Sequence, residues 1–167
     1  MKQEFTSAMT SINRDKLPRV FTSVEMNGLI VLDYGCGRYT DHIKRHVEAQ
    51  NAMYLPYDPF NQPEAVNVNS RSYAMLARIA GVKTVAVLSN VLNVIKEDSI
   101  IVSIVNDALQ LTGNALIAIY EGDRTGNGKQ TGTDQWQRNE RKAAYIQLLK
   151  AHGLHATSWH GFIRVTA

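Results

Sequence analysis

Residues 29–47 read LIVLDYGCGRYTDHIKRHV. Four apolar residues lead into Asp33, a Gly-x-Gly pair follows at Gly35 and Gly37, and a helix-like segment begins near residue 39. An unbroken apolar run predicts a strand buried on both faces, as in a parallel sheet. Glycines between such a strand and a helix let the backbone approach a ligand closely or take positive φ.

Two features separate this loop from the dinucleotide fingerprint. The third glycine of that pattern falls at position 40, where the chain has Thr40. Asp33 precedes the first glycine, where it opposes a pyrophosphate and suits a cation. A second acid, Asp58, ends the next predicted strand, AMYLPY at 52–57. A carboxylate there accepts hydrogen bonds from ribose hydroxyls. A ribose joined to a cationic group, with no phosphate, is the composition of S-adenosylmethionine.

Outward from this stretch, strands and helices alternate. Helices are expected at 39–50, 70–80, 97–111 and 138–151. The first has Thr40 or Asp41 as cap and Ile43 and Val47 on its apolar face. The second has Tyr73, Leu76, Ala77 and Ala80 on one side and ends at Gly81. The last offers Ala144, Ile146, Leu148 and Leu149 for packing. Further strands are expected from residue 84 to the Ser89-Asn90 loop and at 115–123. A strand pair, LHATSWH and FIRVTA, is joined at His160-Gly161. AVNVN, at 65–69, is a poor third strand. Residues 1–27 form an N-terminal strap with a helix start at Pro18, and 124–137 form a polar, glycine-rich loop.

This order predicts an α/β, Rossmann-like fold in one domain, 1–167: a mostly parallel sheet, helices on both faces and a C-terminal antiparallel strand pair. Ligands of such sheets bind at the carboxyl ends of the strands, where Asp33, Asp58, Ser89, Asn90 and Glu121 to Asp123 all fall.

Composition narrows the setting. Hydrophobic residues make up 44% of 167, enough for a core. No apolar run approaches the roughly 20 residues of a membrane span, and MKQEFTSAMTSINRDK has no apolar signal-peptide core. The single cysteine, Cys36, rules out an internal disulfide and agrees with a cytoplasmic setting. The charge of +3 and pI near 9.0 admit a nucleic-acid partner without requiring one.

VLDYGCGRYT resembles motif I of class I S-adenosylmethionine-dependent methyltransferases. Together, LDYGCGR, YDPFNQP, SNVLNVIKED and GNGKQTGTDQWQRN resemble a group of small methyltransferases of the DNA phosphorothioation-associated and phage type. The likeness runs from about Thr10 to the C-terminus. The chain departs from that group at Tyr39, where an acid or glycine is usual, and at Trp136, which alters an aromatic–Gln order. The resemblance implies cofactor roles for Asp33, Tyr34, Gly35, Gly37, Asp58 and Pro59, and places Ser89 and Asn90 beside the methyl donor. Base-methylating enzymes often carry two prolines and an aromatic residue at the latter position. SNVL has none of these, which argues against a standard adenine-N6 or cytosine-N4 enzyme acting on a flipped base.

The leading expectation is methyl transfer from S-adenosylmethionine to an unknown acceptor, with nucleic acid or a nucleotide among the candidates. Asn90, Asn93 or Asp123 orient the nucleophile, and no catalytic base is named. The alternatives are a lyase or hydrolase that cleaves S-adenosylmethionine, as an anti-restriction enzyme of a phage would, and a non-catalytic cofactor-binding subunit. Residues 123–142 carry Arg124, Lys129, Arg138, Arg141 and Lys142. They read either as a solvated connection or as a substrate lid in which Trp136 stacks on the acceptor and Arg124 or Lys129 meets an anionic group. Recognition then comes from the strap, this loop, or another chain, as an oligomer or a partner protein. Cys36 reads as a small residue in a tight turn. Tyr34 and Tyr57 serve either packing or the ligand wall. No metal is expected: His42 and His46 lie at i, i+4 without a third ligand, and His152, His155 and His160 are scattered.

Overall fold

The computed structural model describes residues 2–10 and 14–166. Three residues of the strap, 11–13, lie outside them, as do Met1 and Ala167, the last residue of FIRVTA. The strands of the main sheet are β1 (Ile30–Tyr34), β2 (Met53–Tyr57), β3 (Thr84–Ser89), β4 (Asn114–Ala118), β7 (His155–Trp159) and β8 (Phe162–Thr166). Their order is β2-β1-β3-β4-β8-β7. The first four are mutually parallel, and β8 runs antiparallel to both β4 and β7. His160 and Gly161 both have positive φ and turn β7 into β8.

Alternation along β1 divides the core. Leu32 and Tyr34 pack with α3 (Glu64–Ile79), α4 (Asp98–Thr112) and α5 (Lys142–Ala151). Val31 faces the opposite layer, with Ile43 and Val47 of α2 (Asp41–Glu48) and Val20 and Phe21 of α1 (Arg19–Ser23). Pro18 caps α1 as expected, whereas Thr40 caps α2 without a side-chain hydrogen bond. Gly113, at φ +76°, closes α4.

Four expectations change. AVNVN is not a strand: it lies in α3, because helical spacing buries Asn67, Ser70, Ala74 and Ala77 as one stripe. Of the side expected at Tyr73, Leu76, Ala77 and Ala80, that stripe keeps only Ala77, since Tyr73, Leu76 and Ala80 are exposed. AVNVN therefore adds no strand beyond β2, which is an edge of the sheet. The fourth strand stops at Ala118, not residue 123. Residues 124–137 are not irregular throughout: β5 (Lys129–Gly132) and β6 (Gln135–Gln137) form an antiparallel hairpin turning at Asp134. No helix of the described residues is long and apolar enough to cross a membrane.

Candidate functional site

β1, β2 and β3 end side by side, and the loops beyond them enclose a pocket of about 180 Å³. Asp33, Tyr34, Gly35, Asp58, Pro59, Ser89 and Asn90 all line it. The turn after β1 is pinned to β2: the Gly35 and Cys36 amides donate to Tyr57 O at 2.7 and 3.2 Å. Gly35 holds φ +84° and Gly37 φ +72°, a region that suits glycine. Asn90 takes positive φ too, and its amide donates to Ala118 O at 2.9 Å.

The two acids have different surroundings. Asp33 is only 2% exposed, and its Oδ2 accepts from the Tyr54 hydroxyl at 2.6 Å. Burial pushes its carboxyl up to about 7; the Tyr54 hydrogen bond opposes this and nearby Asp58 adds to it. Asp58 ties the two loops together. Its Oδ1 accepts from the Phe60 and Asn61 amides at 2.9 and 3.0 Å. Its Oδ2 accepts from the Gly37 amide at 2.9 Å and Asn61 Nδ2 at 3.3 Å. Those four donors fill the acceptor positions of a carboxylate. A ribose must therefore displace one, and the long contact from Asn61 Nδ2 is the weakest.

Tyr34 serves both readings. It lines the pocket, packs against Tyr57 at 4.6 Å between ring centroids, and donates to Asp107 Oδ2 at 2.8 Å. Burial pushes the Asp107 carboxyl up, but hydrogen bonds from Arg71 and Tyr34 outweigh it and hold the group below its usual range. Cys36 also lines the pocket; burial, then Asp33 and Asp58, push its thiol up, so it stays protonated and inert. Of the paired histidines, His46 is engaged with Phe21 O at 3.0 Å.

The structure does not bring the remaining candidates to this pocket. Asn93 is buried beneath the hairpin, donating to Gln137 Oε1 at 3.3 Å while its carbonyl accepts from the Arg138 amide. Asp123 is exposed and binds Thr125 Oγ1 at 2.7 Å and Lys129 Nζ at 3.4 Å. Arg124 pairs with Glu121 at 2.9 Å. Trp136 stacks on Phe5, with centroids 5.5 Å apart. Arg138 is a buried anchor and not a solvated base: Nη2 reaches Asp98 at 2.7 Å, Nη1 reaches Lys96 O at 3.0 Å, and Nε reaches Glu140.

Several pocket-shaping residues escape sequence reasoning. Asn67 accepts from the Asp58 amide at 2.9 Å and donates to Asp58 O at 3.0 Å. Its signal is available in retrospect, as a polar residue on the small-residue stripe of α3. Gln3, Thr6, Ser7, Ala8 and Thr10 of the strap also line the pocket. The hairpin holds them there: the Thr6 and Ser7 amides donate to Asp134 Oδ1 at 2.9 Å and Asp134 O at 3.0 Å. The Trp136 amide donates to Ser7 Oγ at 3.2 Å. Glu4 bonds to the segment before α4, with its carboxylate on Lys96 at 2.7 Å. Nothing in the local sequence announces contacts across more than 90 residues.

No family model and no curated protein sequence matches this chain. Among solved structures it is similar to Burkholderia thailandensis 1,6-didemethyltoxoflavin-N1-methyltransferase, whose crystal structure holds 1,6-didemethyltoxoflavin and S-adenosylhomocysteine. The TM-score is 0.54 at 17% identity, over 83% of this chain and 69% of that one. The likeness is one of fold: the chain has a Rossmann-like methyltransferase fold, with the parallel sheet and C-terminal antiparallel pair expected from its sequence.

Proposed function

We propose that this protein is an S-adenosylmethionine-dependent methyltransferase, with the cofactor held by the Asp33–Asp58 pocket. One observation carries the reading: a glycine turn with no room for a side chain and two acids meet at the carboxyl ends of adjacent parallel strands. The motif I resemblance and the fold of the toxoflavin N1-methyltransferase support it. The subgroup likeness and a phage source rest on the motifs alone.

The residues fit the cofactor in charge and in shape. Asp33, once ionised, offsets a positive ligand. Asp58 offers ribose the acceptor position that Asn61 Nδ2 occupies most weakly. Gly35, on the pocket wall, leaves the backbone bare for close approach, whereas Gly37 lies behind it, its amide on Asp58 Oδ2 and its carbonyl accepting from Gln62 Nε2. The pocket is smaller than the 300 Å³ or so at which ligand clefts begin. Admitting the cofactor therefore requires the strap to yield.

When bound, S-adenosylmethionine supplies an already activated methyl group, so the protein has little acid–base work to do. Its residues align the acceptor and exclude water. Asn90, on the pocket wall, orients the nucleophile in this reading, and the strap excludes water. The described pocket lining contains no Lys, Arg or His, so no cation there meets a phosphate. An acceptor whose reacting end is uncharged fits this wall better than a nucleic-acid backbone does.

Calorimetry with S-adenosylhomocysteine tests the site, and product analysis tests the reaction. Methyl transfer yields S-adenosylhomocysteine. Methylthioadenosine would point to cofactor cleavage, and binding without turnover of candidate acceptors would point to a non-catalytic subunit.

A further inference from the structure

α3 has two faces of opposite character. The inner one buries Asn67, Ser70, Ala74 and Ala77. The outer one shows Val68, Met75, Leu76 and Ile79 to solvent, with Val82 just beyond the helix end; Val68, Leu76 and Ile79 are 54%, 62% and 74% exposed. Tyr73 flanks the stripe and is also exposed. Both arginines of the helix turn away, Arg71 to Asp107 and Arg78 to Gln110 O. Between Glu64 and Lys83 the outward side is therefore free of unpaired charge. A helix apolar on its solvent side is the pattern of a covered helix.

The six apolar side chains leave on the order of 600 Å² open, taking roughly 160–240 Å² for each when fully exposed. That is the upper end for a monomer's largest patch and most of the ~800 Å² per partner of a standard interface.

The neighbouring edge of the sheet does not offer strand pairing. The Met53 amide donates inward to Leu29 O, so by alternation residues 53, 55 and 57 face β1 while 54 and 56 face outward. Position 56 is Pro56, which has no amide hydrogen, so Tyr54 is the lone outward donor of β2. A partner must engage side chains on α3 and not extend the sheet.

The ends of the helix select the partner. Glu64 begins α3 and Lys83 follows its end, both exposed. An antiparallel copy of the same helix crossing at Ser72 sets each Glu64 opposite the other copy's Ala80, three residues short of its Lys83. Ser72, a small exposed residue midway along the stripe, sits where the axes cross. Val68 then meets the second copy's Leu76, and Ala65 meets its Ile79. We propose that the outer face of α3 is a two-fold interface between two copies of this chain, crossing at Ser72. This does not depend on the methyl-transfer reading.

Light scattering or sedimentation at about 50 μM reads it directly, since a dimer's mass is concentration-linked. The expected mass is twice the 18.6 kDa of the chain. The double variant Leu76→Glu/Ile79→Glu, with unchanged circular dichroism, is expected to be monomeric at that concentration. Its association should weaken by ~100-fold or more, because four carboxylates meet in an apolar contact. Ser72→Cys in a Cys36→Ser background is expected to give a disulfide-linked dimer under mild oxidation, since a crossing there brings the two Cα atoms within bridging range. A monomeric wild type overturns the proposal, whatever other protein covers the face. So does a dimer that survives both glutamates, or a dimer that the Ser72→Cys variant fails to cross-link.

Discussion

Gly35 and Val91 meet at the pocket wall so closely that a Cβ on Gly35 would lie 2.5 Å from Val91 Cγ2, and Gly35 holds φ +84°. The two constraints are independent: one is steric, the other belongs to the backbone. Gly35→Ala is expected to cost about 2–4 kcal/mol of stability, from the left-handed conformation and the overpacking together. It should also abolish binding of S-adenosylhomocysteine. Val91→Ala in the same chain should recover only the steric part. Urea titration and calorimetry on the three variants check this. A Gly35→Ala protein with full stability would show that the turn has another arrangement available.

Asp33 makes stability depend on pH in an unusual direction. Its carboxyl titrates near 7 in the folded chain, against an ordinary 3.8. Between those values the unfolded chain has lost the proton while the folded one keeps it. Stability therefore falls as pH rises from about 4 to about 7 and levels off above, by on the order of 4 kcal/mol from this group. Asp33→Asn should remove that slope and gain on the wild type toward pH 8. Tyr54→Phe, which deletes the hydrogen bond that favours the ionised form, should move the midpoint higher. Chemical denaturation across pH 4–8 measures both.

The same proton couples to the ligand. A cationic ligand beside Asp33 favours the carboxylate, so S-adenosylmethionine binding near pH 6 should release a proton. Calorimetry in buffers of different ionisation heat detects this. Release should be lost in Asp33→Asn and should fade above pH 8.

Asp58→Ala removes an acceptor of ribose and also the tie between the Gly37 and Asn61 loops. It should weaken cofactor binding by roughly 1.5–3 kcal/mol. Asn67→Ala separates the two roles. It frees the Asp58 backbone, which Asn67 brackets, but leaves the carboxylate in place. It should lower stability by about 1–3 kcal/mol with a smaller loss of affinity. Equal affinity losses in the two variants would mean that Asp58 acts only by positioning the loop.

Asp134 fastens the strap, accepting from Thr6 through its side chain and from Ser7 through its backbone. Asp134→Ala should speed hydrogen exchange at Thr6 and expose residues 2–10 to proteolysis, while the sheet stays protected. Cofactor association should quicken in this variant, since the strap must yield for entry. Unchanged exchange at Thr6 would mean that the Glu4, Phe5 and Ser7 contacts hold the strap without the Asp134 side chain.

The β1 run with its glycines, the Asp58 position at the end of β2 and the His160-Gly161 turn were all legible in the sequence. Each is written in consecutive residues: continuous apolar character for a doubly buried strand, glycine where φ is positive, an acid where a strand ends. Tertiary structure decided the rest. AVNVN reads as a strand in isolation, yet it lies in α3 because Asn67, Ser70, Ala74 and Ala77 share a helical face that the sheet can bury. Trp136 and Lys129 follow a strand that the sequence leads one to expect at the pocket, yet Trp136 stacks on Phe5 and Lys129 pairs with Asp123. Asp134 and Thr6 lie 128 residues apart, and polar pairings over that distance follow no period along the chain. Local patterning specifies what each segment becomes; which polar groups meet depends on how the finished layers bring their loops together.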